Sequence, residues 1–463
     1  MIDKRRRLGS AAPTARAPPC ATIGFWLAVC PAHCTPDRIF SLPVSNIPVS
    51  AIAVSATVPP VAASYTMTPP ERRSSASLAL IYALRMLGLF LVLPVFALEA
   101  RHSPGGDDAA LVGLAMGIYG LTQGLLQIPF GMASDRLGRK RVIVFGLLVF
   151  AAGSFVAAWA PTLNWLVVGR SLQGAGAVSA AVTALLADQT RDEVRTKAMA
   201  LVGASIGLMF ALSLVVAPLL TAWVGLHGLF VVTGVLALCG IAVVTWLTPP
   251  EPTTKRVVQR GALREVLADV PTLRLHFGVF VLHAVLLAMW VAVPALLEQA
   301  GLAKGQHWWV YLPAVGGSFF VMAGTLFPLE RRGYLRAVFL SAIGLITLVQ
   351  AGLLAVAGAP SVSALALLLF VFFCGSNVLE ASQPSIASRT APPHARGAAL
   401  GLYNTLQSLG FFAGGALGGV LVKHWGATGL FAASGAAMLV WLVIAWPMQP
   451  MHKPAPRSPV QAA

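Results

Sequence analysis

Between Leu78 and Trp446 the chain is a succession of twelve mainly apolar segments, each about 20 residues long. They run 78–98, 109–130, 142–160, 163–187, 198–224, 228–247, 275–297, 308–329, 337–358, 362–386, 398–422 and 427–446. A helix of about 20 residues crosses the roughly 30 Å hydrocarbon layer of a bilayer. Within that layer only a helix or a closed barrel satisfies every backbone donor and acceptor. The expected fold is therefore an all-α membrane protein of twelve transmembrane helices. Composition agrees: at 57% hydrophobic and 10% charged residues, the chain lacks the polar side chains to coat a water-soluble globule.

A net charge of +16 would suggest a polyanion as partner in a soluble domain. Here the cations fall in loops on alternate sides of the apolar segments. Arg136, Arg139, Lys140 and Arg141 follow segment two, Arg191, Arg195 and Lys197 follow segment four, and Lys255, Arg256, Arg260, Arg264 and Arg274 follow segment six. The opposite loops hold only Arg101, Lys304 and Lys423. This asymmetry puts the basic loops and both termini in the cytoplasm of a bacterial-type inner membrane and argues against nucleic acid. Cys20, Cys30, Cys34, Cys239 and Cys374 show no metal-ligand or paired spacing, so no metal is expected.

Residues 1–74 are rich in Pro, Ala, Ser and Val, show no period and are expected to be disordered; Met67, just before the first segment, is the expected start of synthesis. Thr190, Ala198 and the Gly228–Leu229–Phe230 triplet recur as Thr390, Ala398 and Gly429–Leu430–Phe431, an offset near 200 residues. Pro129 to Arg141 has a degraded echo in Pro328 to Arg336. The repeat predicts two pseudo-symmetric six-helix bundles, residues 75–248 and 275–447, joined by a cytoplasmic linker at 249–274 and followed by a short tail at 448–463. Duplicated bundles of this kind bind a substrate between their halves near the midplane.

Ionisable groups are costly inside a bilayer, so those kept within the segments should face an interior or a wet cavity. Arg85, Arg170, His283 and Glu380 are such groups, and segments three, six, nine and twelve have none. That pattern fits eight helices around a cavity and four supporting them. Tyr119, Gln123 and Gln127 share one face of segment two, as Asn377, Glu380 and Gln383 do in segment ten; segment eleven adds Tyr403, Asn404 and Gln407. These amides serve either as interhelical hydrogen-bonding groups or as cavity lining. Glu380, the one carboxylate placed well inside a segment, is a candidate proton carrier or a partner for an Arg or His; burial would raise its affinity for protons. His283 is a candidate titratable partner. For Arg85 and Arg170 three roles stay open: anion binding, control of Glu380, or structural pairing.

Gly131 to Arg141, GMASDRLGRKR, resembles the signature loop of the major facilitator superfamily. RSLQGAGA at 170–177, with Gln173 inside it, resembles the second signature of its proton-coupled drug antiporters. The strings from Arg85, Gly117 and Asn377 are similar to the YajR-like members of that branch. The resemblance implies that Arg170 takes part in proton coupling. It also implies that Gly131, Asp135, Arg136, Gly138, Arg139 and Asp188 form the conformational switch, with Asp135, Arg139 and Asp188 locking the cytoplasmic ends. In segment five Ala217–Pro218 is followed by Leu219, where the antiporter signature has Gly-Pro and further glycines.

The resulting expectation is a secondary transporter exporting a small solute in exchange for protons, with proton symport or facilitated uptake as the alternative. Its partners are lipid, a small solute and protons; its energy comes from the proton gradient without a cofactor; and it works as a monomer. Neither zinc-protease nor phosphate-loop motifs occur, so an enzyme is not expected.

Overall fold

The computed structural model describes residues 66–251, 262–390 and 396–448. The described residues are helical throughout, without a strand. Their helices are α1 (Pro69–Glu99), α2 (Ala109–Leu137), α3 (Arg139–Ala158), α4 (Leu163–Ala175), α5 (Ser179–Asp188), α6 (Asp192–Ala242), α7 (Ala262–Ala268), α8 (Val270–Gln299), α9 (Trp308–Arg331), α10 (Leu335–Val356), α11 (Val362–Thr390) and α12 (Arg396–Ala445).

Twelve helices and twelve apolar segments do not correspond one to one. Among the described residues nine helical stretches are long and apolar enough to cross a membrane. Two of these hold two segments each, because α6 and α12 are pairs of helices meeting at Gly225 (φ 65°) and Gly426 (φ 63°). Only glycine adopts such angles without strain. The two kinks lie at corresponding places in the repeat, each three residues before the Gly-Leu-Phe triplet. Segment four is instead divided, at 176–178, between α4 and α5.

Helix starts follow local chemistry. Thr68 and Glu71 form a reciprocal capping box at α1, with Pro69 in the first turn. Asp108 caps α2 and Asp269 caps α8. The capping box corrects the expectation of disorder up to residue 74, since α1 begins at Pro69 and Ser74 and Ser75 are buried. The Met67 start and the rest of the N-terminal expectation fall mostly on residues 1–65, outside the described ones. Part of the expected linker is also ordered as α7 and the first turn of α8.

Exposed tryptophans mark both ends of the bundle: Trp159, Trp165, Trp223, Trp309 and Trp425 at one, Trp246 and Trp446 at the other. That is the placement of aromatic belts at the two surfaces of a bilayer. The end bearing Trp246 also carries the basic loops and is called the basic end below. The opposite end is called the far end.

Candidate functional site

The halves meet most closely along α2 and the first part of α12, and glycine makes the approach possible. Gly113, Gly117, Gly120 and Gly124 are spaced by 4, 3 and 4 residues, which aligns them on one face of α2. Opposite them on α12 stand Ser408, Phe412, Gly415 and Gly419, spaced identically. A Cβ on Gly113 would lie 2.3 Å from the Gly415 carbonyl oxygen, and one on Gly120 2.3 Å from that of Ser408. Two ion pairs join the halves at the far end: Lys304 with Glu99, and Lys423 with Asp108 at 2.8 Å. The Lys423 ammonium beside Asp108 holds its carboxyl below the usual carboxylate range. Towards the basic end the contact stops. Leu125, Ile128 and Met132 are exposed, and nothing lies within 4 Å of a Cβ placed on Gly401. The structure is thus closed at the far end and open between its halves at the basic end.

A chain of polar contacts crosses the closed zone. In the N-terminal half the Arg85 guanidinium donates to the hydroxyl oxygens of Ser179 (3.0 Å) and Tyr119 (2.6 Å) and to Gln123 Oε1 (2.9 Å). Gln123 Nε2 then donates across to Ser408 Oγ of α12 at 3.1 Å. The next residue, Gln407, lies with its amide 2.7 Å from His283 Nε2. His283 Nε2 is also 2.7 Å from Glu380 Oε1, while its Nδ1 donates to the Val279 carbonyl at 2.7 Å. His283 is fully buried, edge-on to Phe411. Glu380 is not: its side chain is 37% exposed. This corrects the expectation of a buried carboxylate: His283, on α8, is the enclosed member of the pair, while Glu380, on α11, keeps part of its side chain exposed.

Arg170 lies apart from Glu380. Its guanidinium donates to the carbonyl oxygens of Ala115 and Met116 and to Gln173 Oε1, and stacks over the Tyr119 ring at 5.3 Å. Gln173 passes a further hydrogen bond to Ser154. The glycines of that signature have a steric purpose: a Cβ on Gly174 would lie 2.2 Å from the Tyr119 carbonyl oxygen, and one on Gly176 2.4 Å from that of Gly146. The remaining polar candidates divide. Asn377 donates to Ser318, Tyr403 is buried and Asn404 partly buried. Gln127 and Gln383 are buried with both amide atoms unpaired.

At the basic end the Gly131–Arg141 loop closes on itself as its charges suggest. Arg139 pairs with Asp135 at 2.5 Å and with Asp188 at 3.2 Å, and donates to Ser134. Gly138 sits at φ 100°, so α2 can end and α3 begin one residue apart. Arg136 is exposed, and Gly131 has Ala180 as its near neighbour. Asp135, Arg139 and Asp188 all belong to the N-terminal half. The residue at the N-terminus of α3 is Glu251, which accepts from the backbone N–H groups of Arg139 (3.0 Å) and Lys140 (2.5 Å). Glu251 escaped the sequence reading because it lies 112 residues from Arg139. The C-terminal half carries a counterpart with its signs exchanged: Glu330 at the end of α9 pairs with Arg389 at the end of α11 at 2.7 Å.

This geometry meets a match along almost its whole length. The profile of the Major Facilitator Superfamily covers residues 78–415 and 329–463. The chain belongs to the Major Facilitator Superfamily. It is 41% identical over 389 residues to the inner membrane transport protein YajR of Escherichia coli (strain K12), covering 83% of this chain and 85% of that one. It is 28% identical over 384 residues to the multidrug resistance protein MdtH of Aeromonas salmonicida (strain A449), covering 79% and 90%. A crystal structure of the nucleoside transporter NupG superposes with a TM-score of 0.64 at 14% identity, over 82% of this chain and 99% of that one, which bears on the fold alone. The superfamily's members here are membrane transporters, not enzymes, and this chain is an integral inner-membrane protein of that kind.

Proposed function

We propose that the chain is a proton-coupled secondary transporter working by alternating access, with the basic end cytoplasmic. The observation that carries the reading is the His283–Glu380 contact of 2.7 Å, in which a fully enclosed imidazole meets a part-exposed carboxylate. A proton entering from the space between the halves reaches Glu380 first. Protonation of Glu380 changes its contact with His283, and Gln407, whose amide lies 2.7 Å from the same nitrogen, transmits the change to α12. Since α12 is also the helix against which α2 packs, proton binding acts on the contact that closes the far end. Asp135, Arg139 and Asp188 shape the basic end, and Arg170 with Gln173 holds α4 against α2.

Two readings of the coupling direction each have support. The sequence relationship to a protein named for multidrug resistance supports efflux in exchange for protons. Co-transport of solute and proton is favoured by Arg85 and Arg170, buried guanidinium groups whose hydrogen-bond partners among the described residues are neutral. Proton movement in proteoliposomes, followed with an internal pH dye while solute moves down its gradient, separates them by sign. Glu380→Gln should abolish that movement while leaving solute exchange across the membrane. Normal proton coupling in Glu380→Gln would refute the assignment.

A further inference from the structure

The interior of this carrier carries more positive than negative charge. Arg85 and Arg170 are 1% and 2% exposed, and among the described residues neither meets a carboxylate. The part-exposed carboxylate, Glu380, is already engaged by His283. Enclosing a charge without a counter-charge is costly, so a state with both guanidinium groups compensated is favoured whenever a suitable anion is at hand.

The two arginines are not equivalent. Arg170 lies beneath Phe96 and Tyr119 and is bonded to backbone carbonyls of α2. Arg85 uses three of its five N–H groups on side chains, and its Nε is buried without an acceptor. One of its partners, Gln123, is only partly buried and also holds the cross-half bond to Ser408. Aromatic rings stand near both ends of the polar chain: the buried Phe150 ring 5.5 Å from Arg85, and the Phe411 ring 5.0 Å from that of His283.

We propose that Arg85 is the docking point for an organic anion, a carboxylate on an apolar or aromatic body, which displaces Gln123 Oε1. A planar guanidinium and a carboxylate are matched in shape as well as charge. Displacing Gln123 also loosens its bond to Ser408, so solute binding acts directly on the closure between the halves. The carboxylate then stands on the same chain of polar contacts as Glu380, and like charges on that chain are tolerated best when Glu380 carries a proton. Anion and proton therefore move together. Only this last step rests on the proton-coupled reading given above; docking at Arg85 stands without it.

The test uses three probes with one ring system, 1-naphthoate, 1-naphthamide and 1-naphthylmethylammonium, and the thermal melting of the purified full chain in detergent. Naphthoate should protect at concentrations about tenfold or more below the amide, and the ammonium should not protect. Arg85→Gln should erase the advantage of naphthoate over the amide, and Arg85→Lys should keep part of it. If Arg85→Gln does not fold, Gln123→Ala decides, since freeing an Arg85 donor should tighten naphthoate and leave the amide unchanged. Equal protection by all three probes, protection by none, or preference for the ammonium overturns the proposal. The two readings fail separately: without a proton site at Glu380, Arg85-dependent naphthoate protection persists; without anion docking, Glu380-dependent proton movement persists with another solute.

Discussion

Gly113→Ala tests whether the α2–α12 contact sets the balance between the two states of the carrier. The new Cβ would stand 2.3 Å from the Gly415 carbonyl oxygen, 2.6 Å from the Gly419 Cα and 2.8 Å from the Gly419 nitrogen. All three are backbone atoms and cannot rotate away. Ordinary contact requires the helices to part by about 1 Å, and overpacking of this kind costs about 1–3 kcal/mol. The clash exists only while the far end is closed, so the cost falls on one state and shifts the population by a factor of roughly 5–150 towards opening at that end. Spin labels on Arg101 and Ala303, exposed far-end residues on opposite halves, report the change in a cysteine-free background by pulsed electron resonance. A longer-distance population should grow. Gly203→Ala, with nothing within 4 Å, should leave the distances alone. Gly153→Ala, whose Cβ would lie 2.4 Å from the Gln173 nitrogen within one half, should lower thermal stability without moving them. Unchanged distances in a well-folded Gly113→Ala protein would refute the reasoning.

Other expectations follow from single contacts. Glu251→Gln should lower the melting temperature by removing a charged cap from α3, an effect of about 0.5–2 kcal/mol, and a melting curve identical to the parent would exclude that role. Arg139→Ala should increase thiol labelling of a cysteine placed at Ser134, which Arg139 now covers. Asp108 has a depressed proton affinity chiefly because Lys423 is beside it, with the Ala110 backbone N–H adding to the effect. Its contribution to far-end closure is therefore complete above the ordinary carboxylate range, about pH 4, and is lost as pH falls through the depressed value. The label distances should accordingly stay constant between about pH 5 and 8, whereas Asp108→Asn should lengthen them throughout that range.

The helical segments and the turn at Gly138 were legible because each is written in local pattern. Hydropathy over 20 residues needs no tertiary context, and the short turn at Gly138 depends on neighbours in sequence. Glu380 and His283 were recognisable separately as costly groups in apolar surroundings, but their contact joins α8 and α11 and left no spacing to read. Exposure was the weak point. Periodicity places Glu380 on a helix face; it does not say whether that face meets protein or an opening between halves. The division of segment four at 176–178 was hidden for a related reason, since apolar content counts Gly and Ala alike while their close approach to α2 and α3 is what breaks the helix.

The matching 4-3-4 spacing on α2 and α12 restricts how the molecule can move. Two toothed edges of equal pitch seat in one register, and sliding by a single residue would drive Leu, Phe or Met side chains into positions where only hydrogen fits. Translation along the membrane normal is thereby barred, leaving rotation about the last tooth, near Gly124 and Leu409, as the available stroke. Any solute that crosses the far end, in either direction, must wait for that pivot to turn.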